Sequence, residues 1–371
     1  MADFELPIFD FTDKFENHTV IAEGGLDLTT EYQGHPTTVL TRSGKLICVW
    51  CITHGGPCGP AAESLDYGKT WTRIDDRLPE SYAATHRNCP TLQKCDLGNG
   101  KERLFIFSAK VEDSAYNFDS KMPQIRYNRL AIVYSDDDGS TWQEAEPADL
   151  SSIMPPTGFL TLKDGSLALF GQIKKYTEEG SKEYEKIWMS ISHDFGLTWS
   201  EGREIAISPK HWLCEPFAFR SPDGDEICVL IRENSHKGRS MVIFSRDEGK
   251  TWTAPVETPL GLTGDRHEGV YLPDGRLFIA FRDRAIGSPT YGQYVAWVGE
   301  YGDIRFSRPG QYRIHLLRHY GKPDVWPGNP WDTGYSGVEL LPDGSVLCTT
   351  YVKYWDDDRY SSVVSTLVTP P

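Results

Sequence analysis

The chain has no basic surplus. Its 38 lysines and arginines are outnumbered by 53 aspartates and glutamates, for a formal net charge of −15. Nucleic-acid binders neutralise phosphates with clustered positive charge, so nucleic acid is not an expected partner. An anionic small substrate stays open if arginines gather locally. No apolar stretch approaches the roughly 20 residues of a membrane-spanning helix, so no membrane partner is expected. The first residues, "MADFELPIFDFTDKFENHTV", lack a basic start followed by an apolar run. The expected compartment is therefore the cytoplasm, or an exported location if a signal has been removed. Metal-ligand spacing is missing too. Cys48 and Cys51 are three apart in a strand-like run, so they point to opposite faces and chelate badly. The eight cysteines read as reduced, buried thiols. His35, His54, His86 and His267 could ligate zinc if they converged on one axis, a weaker idea because they come from separate segments with no short ligand spacing. No metal and no cofactor is expected.

Turn formers and aromatics are abundant, with 34 glycines, 24 prolines, 11 tryptophans and 18 tyrosines. One skeleton, S-x-D-x-G-x-T-W, occurs four times: "SLDYGKTW" at 64–71, "SDDDGSTW" at 135–142, "SHDFGLTW" at 192–199 and "SRDEGKTW" at 245–252. A second pattern, strand–turn–strand, recurs six times with its turn glycine at Gly44, Gly100, Gly165, Gly224, Gly275 and Gly344. Alternating apolar runs joined by such turns are hairpins. The first four hairpins each precede one box. The unit is strand, turn, strand, long loop, strand, box, strand. Six such units of four antiparallel strands make an all-β, six-bladed β-propeller. The fifth unit keeps only the remnant "GEYGDIRFS". The sixth is one strand short, and "HTVIAE" near the N-terminus can supply that strand and close the ring. A single domain over residues 1–371 is expected. The box aspartates Asp66, Asp137, Asp194 and Asp247 read as turn formers, not catalytic groups, because Asp and Ser bind nearby backbone in turns and Gly supplies a positive φ.

Within a blade the hairpin turns and the boxes share one face. The opposite face carries the long loops and the starts of the innermost strands, where function tends to collect. Starts of innermost strands offer Glu31, His35, His86, Arg87, Asn88, Glu215, Arg266, His267, Glu268 and Tyr335. Ends of the second strands offer His54, Lys174, Arg232, Glu233, Asn234, Arg282, Asp283, Arg284 and Tyr351. So many ionisable groups near one axis favour a polar pocket.

Four such boxes on six blades resemble the sialidase (neuraminidase) superfamily, with its Asp-box or BNR repeats, over nearly the whole chain. The resemblance implies roles for matching residues. Tyr335 in "GYSGVELLPDG" stands where sialidases place a tyrosine nucleophile. Glu215 in "CEPFAFRSPDG" stands at the glutamate that assists it. Arg232 in "VLIREN" matches one arginine of a carboxylate-binding triad, and Arg282 in "FRDR" matches another, with Arg284 as its competitor. Two positions depart. The first triad arginine is replaced by His35 in Gly34-His35-Pro36, and the first blade's loop "CITHGGPCGPAAE" has no acid/base aspartate, leaving His54 as its titratable group.

The implied activity is an exo-acting glycoside hydrolase that removes a terminal acidic sugar, sialic acid or a related keto acid. A neutral tyrosine can approach an anomeric carbon that bears a carboxylate, and the sialidase tyrosine is a known exception to the two-carboxylate scheme. Glu215 would be its base. Arg232 and Arg282 would clamp the carboxylate, with His35 as a third donor if protonated. His54, then Asp283, then Glu268 are candidates for the leaving-group proton. His86, Arg87, Arg266, His267 and Tyr351 complete the expected substrate contacts. Two other classes stay open. A lyase or hydrolase acting on a uronic acid would use the same arginines and the histidines. A glycan-binding propeller without turnover would explain the missing aspartate. For the four histidines, sugar hydroxyls are the alternative partners to zinc.

Overall fold

The computed structural model describes residues 4–25, 32–110, 129–150, 154–176, 182–321 and 331–371, with side chains left out at 173–176 and 182–185. Glu31 and the side chain of Lys174 lie outside the described set.

The strands form six sheets, the blades of a β-propeller. Each of the six hairpin glycines named above has a positive φ, the left-handed conformation that these turns need and that glycine adopts without steric penalty. The second strand of each hairpin is apolar almost throughout because both of its faces are covered: Leu46–Ile52, Ile227–Glu233, Leu277–Asp283 and Val346–Val352 are buried nearly end to end. The chain divides into two compact units. One holds the first, fifth and sixth sheets. The other, mainly residues 76–256, holds the second, third and fourth. In the first unit, His18–Ala22 pairs antiparallel with Ser362–Val368 and becomes the fourth strand of the sixth sheet. Ile8–Asp10 adds a parallel edge strand beside Tyr312–Leu317 of the fifth. At the remnant, a short helix, Tyr301–Arg305, replaces the box, started by a reciprocal capping pair of Glu300 and Asp303.

All four boxes close in the same way around their aspartates, and Trp71, Trp199 and Trp252 add an indole bond that Trp142 does not make among the described residues. In the third, Ser192 Oγ donates to Asp194 Oδ1 at 2.8 Å, and Thr198 donates to Asp194 through its backbone N–H at 2.9 Å and its hydroxyl at 2.6 Å. The Gly196 N–H donates to Ser192 Oγ at 2.8 Å, and the Trp199 indole to the Gly196 carbonyl at 3.0 Å. Partial burial pulls the Asp194 carboxyl up, but the bonds from Thr198 and Ser192 outweigh it and hold it below its ordinary value. At Asp247 the Thr251 hydroxyl leads the cause, and the carboxyl falls to about 2. The box also docks on the preceding blade. The Trp199 ring lies 6.0 Å from Phe107 and the Trp252 ring 6.0 Å from Phe170. Trp71 packs beside Val363 of the sixth sheet. The box aspartates are thus occupied by turn chemistry.

Asp194→Ala is expected to destabilise the fold by about 1–2 kcal/mol, from loss of charge-assisted turn bonds, seen as a lower urea midpoint. Depressed folded-state values mean that the boxes stabilise the protein above the ordinary Asp range. That contribution is lost as pH falls through the folded value, about 2 for Asp247. Acid titration of the wild type followed by circular dichroism should place part of the loss there. The Asp194→Ala variant should show a smaller part.

Candidate active site

The innermost strands of four sheets begin with a bulge. The register slips between Gly34 and Thr37, Arg87 and Thr91, Cys214 and Pro216, and Asp265 and Glu268. A non-glycine residue with positive φ sits in each slip: His35 at 55°, Asn88 at 67°, Glu215 at 44° and Arg266 at 55°. Such conformations cost about 1–3 kcal/mol each, and they cluster at functional sites. A bulge also re-aims a side chain. Three of these bulges contain a proline, at Pro36, Pro90 and Pro216. Proline has no N–H for a ladder and is tolerated where pairing is interrupted.

In the first unit the bulges gather a polar cluster. Asp332, buried with its side chain 1% exposed, is its anchor. It accepts the Tyr32 hydroxyl at 2.6 Å and the Tyr351 hydroxyl at 2.8 Å. His54 Nδ1 lies 3.1 Å from Oδ1 and 3.3 Å from Oδ2. Burial alone would raise the Asp332 carboxyl; His54, His35 and Tyr32 outweigh it and hold it well below the usual carboxylate range. Burial and the Asp332 charge push the Tyr32 and Tyr351 phenols well up, so both remain donors. His54 is half exposed, at 41%. The dyad thus has a fixed inner end and an open outer end.

His35 stands against this dyad. Its ring centroid lies 4.7 Å from His54, 4.8 Å from Tyr335 and 4.7 Å from Tyr351. Burial first, then the neighbouring His54, hold His35 well below the normal histidine value, so it is a neutral imidazole. The protonated third donor expected at this position is therefore not what burial favours: an imidazolium would sit fully desolvated beside two guanidinium groups.

Tyr335 lies between arginines. The guanidinium carbon of Arg266 is 5.3 Å from its ring centroid and that of Arg282 is 5.9 Å away. Arg282 is held by Asp265, 2.8 Å from Nε, and by the Trp331 carbonyl, 2.8 Å from NH1. Arg284 Nε is 3.6 Å from the same aspartate, with its guanidinium 5.0 Å above the Tyr291 ring. Gly334, with φ 90°, carries the chain over Arg282; a Cβ there would meet the Arg282 Cβ at 2.4 Å. The Thr350 hydroxyl receives the Gly334 N–H at 3.1 Å and donates to the Tyr335 carbonyl at 2.8 Å, fixing the approach to Tyr335.

Other expected site residues of this unit do structural work. Asp283 takes both arms of Arg313, at 2.8 and 3.1 Å, along with Thr290 and Ser288 hydroxyls and the Ala285 N–H. Every carboxylate oxygen is engaged in a fully buried pair, which removes Asp283 from the proton-donor candidates. His267 Nε2–H donates to the Leu262 carbonyl, 3.0 Å away, beside the Phe281 ring. Glu268 is pushed up to about 8 by burial, with Glu339 adding to the rise and Arg266 opposing it. It is therefore a neutral acid at neutral pH, two residues beyond Arg266 on the same strand.

In the second unit, Glu215 is buried and ion-paired with Arg232, whose NH1 lies 2.8 Å from Oε2. The Glu215 N–H donates to the Gln172 side chain. His86 is buried between Ser108, 2.8 Å from Nδ1, and Glu144, 3.3 Å from Nε2. Against the upward pull of burial, Lys110, Ser81 and His86 hold Glu144 down to about 2. Arg87 caps the helix Glu80–Thr85 through the carbonyls of Ala83 and Ala84. Glu233 receives the backbone N–H of Trp212 and the Ser235 hydroxyl. Asp332, Asp265 and Tyr32 were absent from the sequence-derived set. The nearest signals were the short spacing in "WDTGYSG" and the acidic start of "DRHE".

The BNR repeat-like domain model matches residues 103–287. No curated protein sequence matches the chain. A Dyadobacter fermentans protein of unknown function superposes with a TM-score of 0.70 at 18% identity, covering 95% of this chain and 97% of the other. A Hadza microbial sialidase gives 0.64 at 18%, covering 95% and 68%. A Fusarium graminearum α-L-arabinofuranosidase, solved with an iminosugar inhibitor, gives 0.66 at 12%, covering 95% and 97%. The fold class is the six-bladed β-propeller. Within that class, residues 103–287 match the BNR repeat-like domain, and the chain is similar in fold to solved sialidases.

Proposed function

We propose that the protein is a glycoside hydrolase of the sialidase type, which removes a terminal acidic sugar through Tyr335. The observation that carries this reading is the tyrosine with two buried guanidinium groups over its ring, next to a histidine–aspartate pair. Arg266 and Arg282 supply positive charge for the sugar carboxylate. Arg282 has a planar fork, pre-set by Asp265, that suits such a group. Tyr335 Oη attacks the anomeric carbon as the glycosidic bond breaks; its phenol proton passes to the neutral His35 imidazole packed against it, and His54 gives a proton to the departing oxygen. Asp332 fixes the His54 tautomer and balances its charge, as carboxylates do in hydrolytic triads. Water then displaces the tyrosine; His54 takes a proton from the water and His35 returns the phenol proton, so the free sugar and the resting enzyme are restored. The solved sialidase and arabinofuranosidase of the same fold support a glycosidase; the arginines support an acidic sugar.

The test is a fluorogenic α-sialoside beside a panel of keto-acid and uronic-acid glycosides. Fluorophore release that disappears in Arg282→Ala supports the reading. Release that is indifferent to Arg282 sinks the carboxylate clamp. A uronic-acid lyase is the second reading, favoured by His54 as a base held by Asp332. Its mark is a product with a new double bond absorbing in the near ultraviolet.

A further inference from the structure

We propose that His35, His54 and Asp332 form a binding site for a divalent transition metal, with Zn²⁺ as its best occupant. One ligand atom from each residue lies within 4.8 Å of the other two. His54 Nδ1 and Asp332 Oδ1 are already 3.1 Å apart. Zinc bonds of about 2.0–2.2 Å place tetrahedral ligand atoms roughly 3.3 Å from one another. Only His35 has a gap to close, and the half-exposed His54 ring can turn to close it.

A second, independent observation points to a ligand. The Cys51 thiol faces the carbonyl oxygens of Gly34 and Thr53, at 3.4 and 3.5 Å. Its sulfur is therefore the acceptor for His35 Nδ1–H, 3.3 Å away. That tautomer leaves a lone pair on His35 Nε2, which is buried and has no hydrogen-bond partner. An acceptor stranded in this way costs free energy, and a metal ion satisfies it. Metal-bound histidines commonly have the second ring nitrogen held by a protein group, which fixes the tautomer; Cys51 plays that part. Asp332 is likewise oriented by Tyr32 and Tyr351 before any metal arrives.

Two imidazoles and one carboxylate select a zinc-class ion over calcium or magnesium, which prefer all-oxygen shells. Three protein ligands leave a fourth position, open on the exposed side of His54, for water. The site is independent of the glycosidase reading, because it is measured without substrate. A metal there takes His54 Nδ1, the nitrogen that otherwise bonds to Asp332, so metal binding and the proton-donor role of His54 exclude one another.

The experiment is calorimetric titration of Zn²⁺ into the untagged, EDTA-treated full chain, with Co²⁺ absorption as a second readout. One saturable equivalent is expected, weakened about tenfold or more in His54→Ala and unchanged in His193→Ala, which removes an exposed histidine of a box turn. The half-exposed His54 can be replaced without opening the core, and thermal melts of the variant confirm its fold. Absence of saturable binding in the wild type overturns the proposal. Undiminished binding in His54→Ala overturns it as well. So does a thiolate-to-cobalt charge-transfer band, which would place the ion on a cysteine.

Discussion

Tyr335→Phe is expected to reduce turnover by about 1,000-fold or more, the scale seen when a hydrolase loses its nucleophile, while the thermal midpoint stays close to wild type. The ring contacts survive the change. Phenylalanine keeps the face presented to Arg266 and Arg282 and the edge against His35 and Tyr351. Only the oxygen is removed, so lost activity with an unchanged fold isolates its chemistry. The measurement is kcat on whichever glycoside of the panel is cleaved, together with a melt. Full activity in Tyr335→Phe would end the nucleophile assignment. A parallel fall in kcat and melting temperature would recast Tyr335 as a structural residue.

Asp283→Ala should have the largest effect on stability. Arg313 and Asp283 are both wholly buried and exchange two bonds. Removing one partner leaves a desolvated charge, at a cost of about 3–5 kcal/mol. Arg313 also donates to the Gly261 carbonyl and lies 5.2 Å from the Phe281 ring centroid, so it has no route to water. The urea midpoint should fall sharply. The double change Asp283→Leu with Arg313→Met should recover much of the loss, since an apolar pair has no charge to strand. If Asp283→Ala is as stable as wild type, the pair is not holding the fifth sheet together. A stable but inactive variant would return Asp283 to the catalytic candidates.

The same residue shows where sequence reading failed. Arg282, Asp283 and Arg284 are consecutive at a strand end, and neighbours in a strand point to opposite sides. Arg282 and Arg284 both reach Asp265, whereas Asp283 turns to Arg313. That alternation was readable in "FRDR"; the identity of the partner, 30 residues away, was not. The hairpin turns and boxes were legible because their bonds are local, closing within about five residues of glycine or aspartate. The innermost bulges left a fainter trace, a proline after His35, Cys89 and Glu215. Asp332 was invisible. Its partners are Tyr32, His54 and Tyr351, and its closeness to Tyr335 in "WDTGYSG" does not say which of them it holds.

The docking of the first, third and fourth boxes on the blade beside them has a consequence for how the chain is made. A side chain at Gly196 would strike Phe105, and one at Gly249 would strike Met189; both partners have already been synthesised when the glycine leaves the ribosome. The first box reverses that order. Gly68 abuts Leu347, and His18–Ala22 waits for Ser362–Val368. The second unit can assemble in the order of translation, whereas the first must keep its earliest strands unpartnered until the last blade emerges. A nascent chain stalled before residue 346 would therefore expose the early strands, and chaperone protection should be needed most for the part of the protein made first.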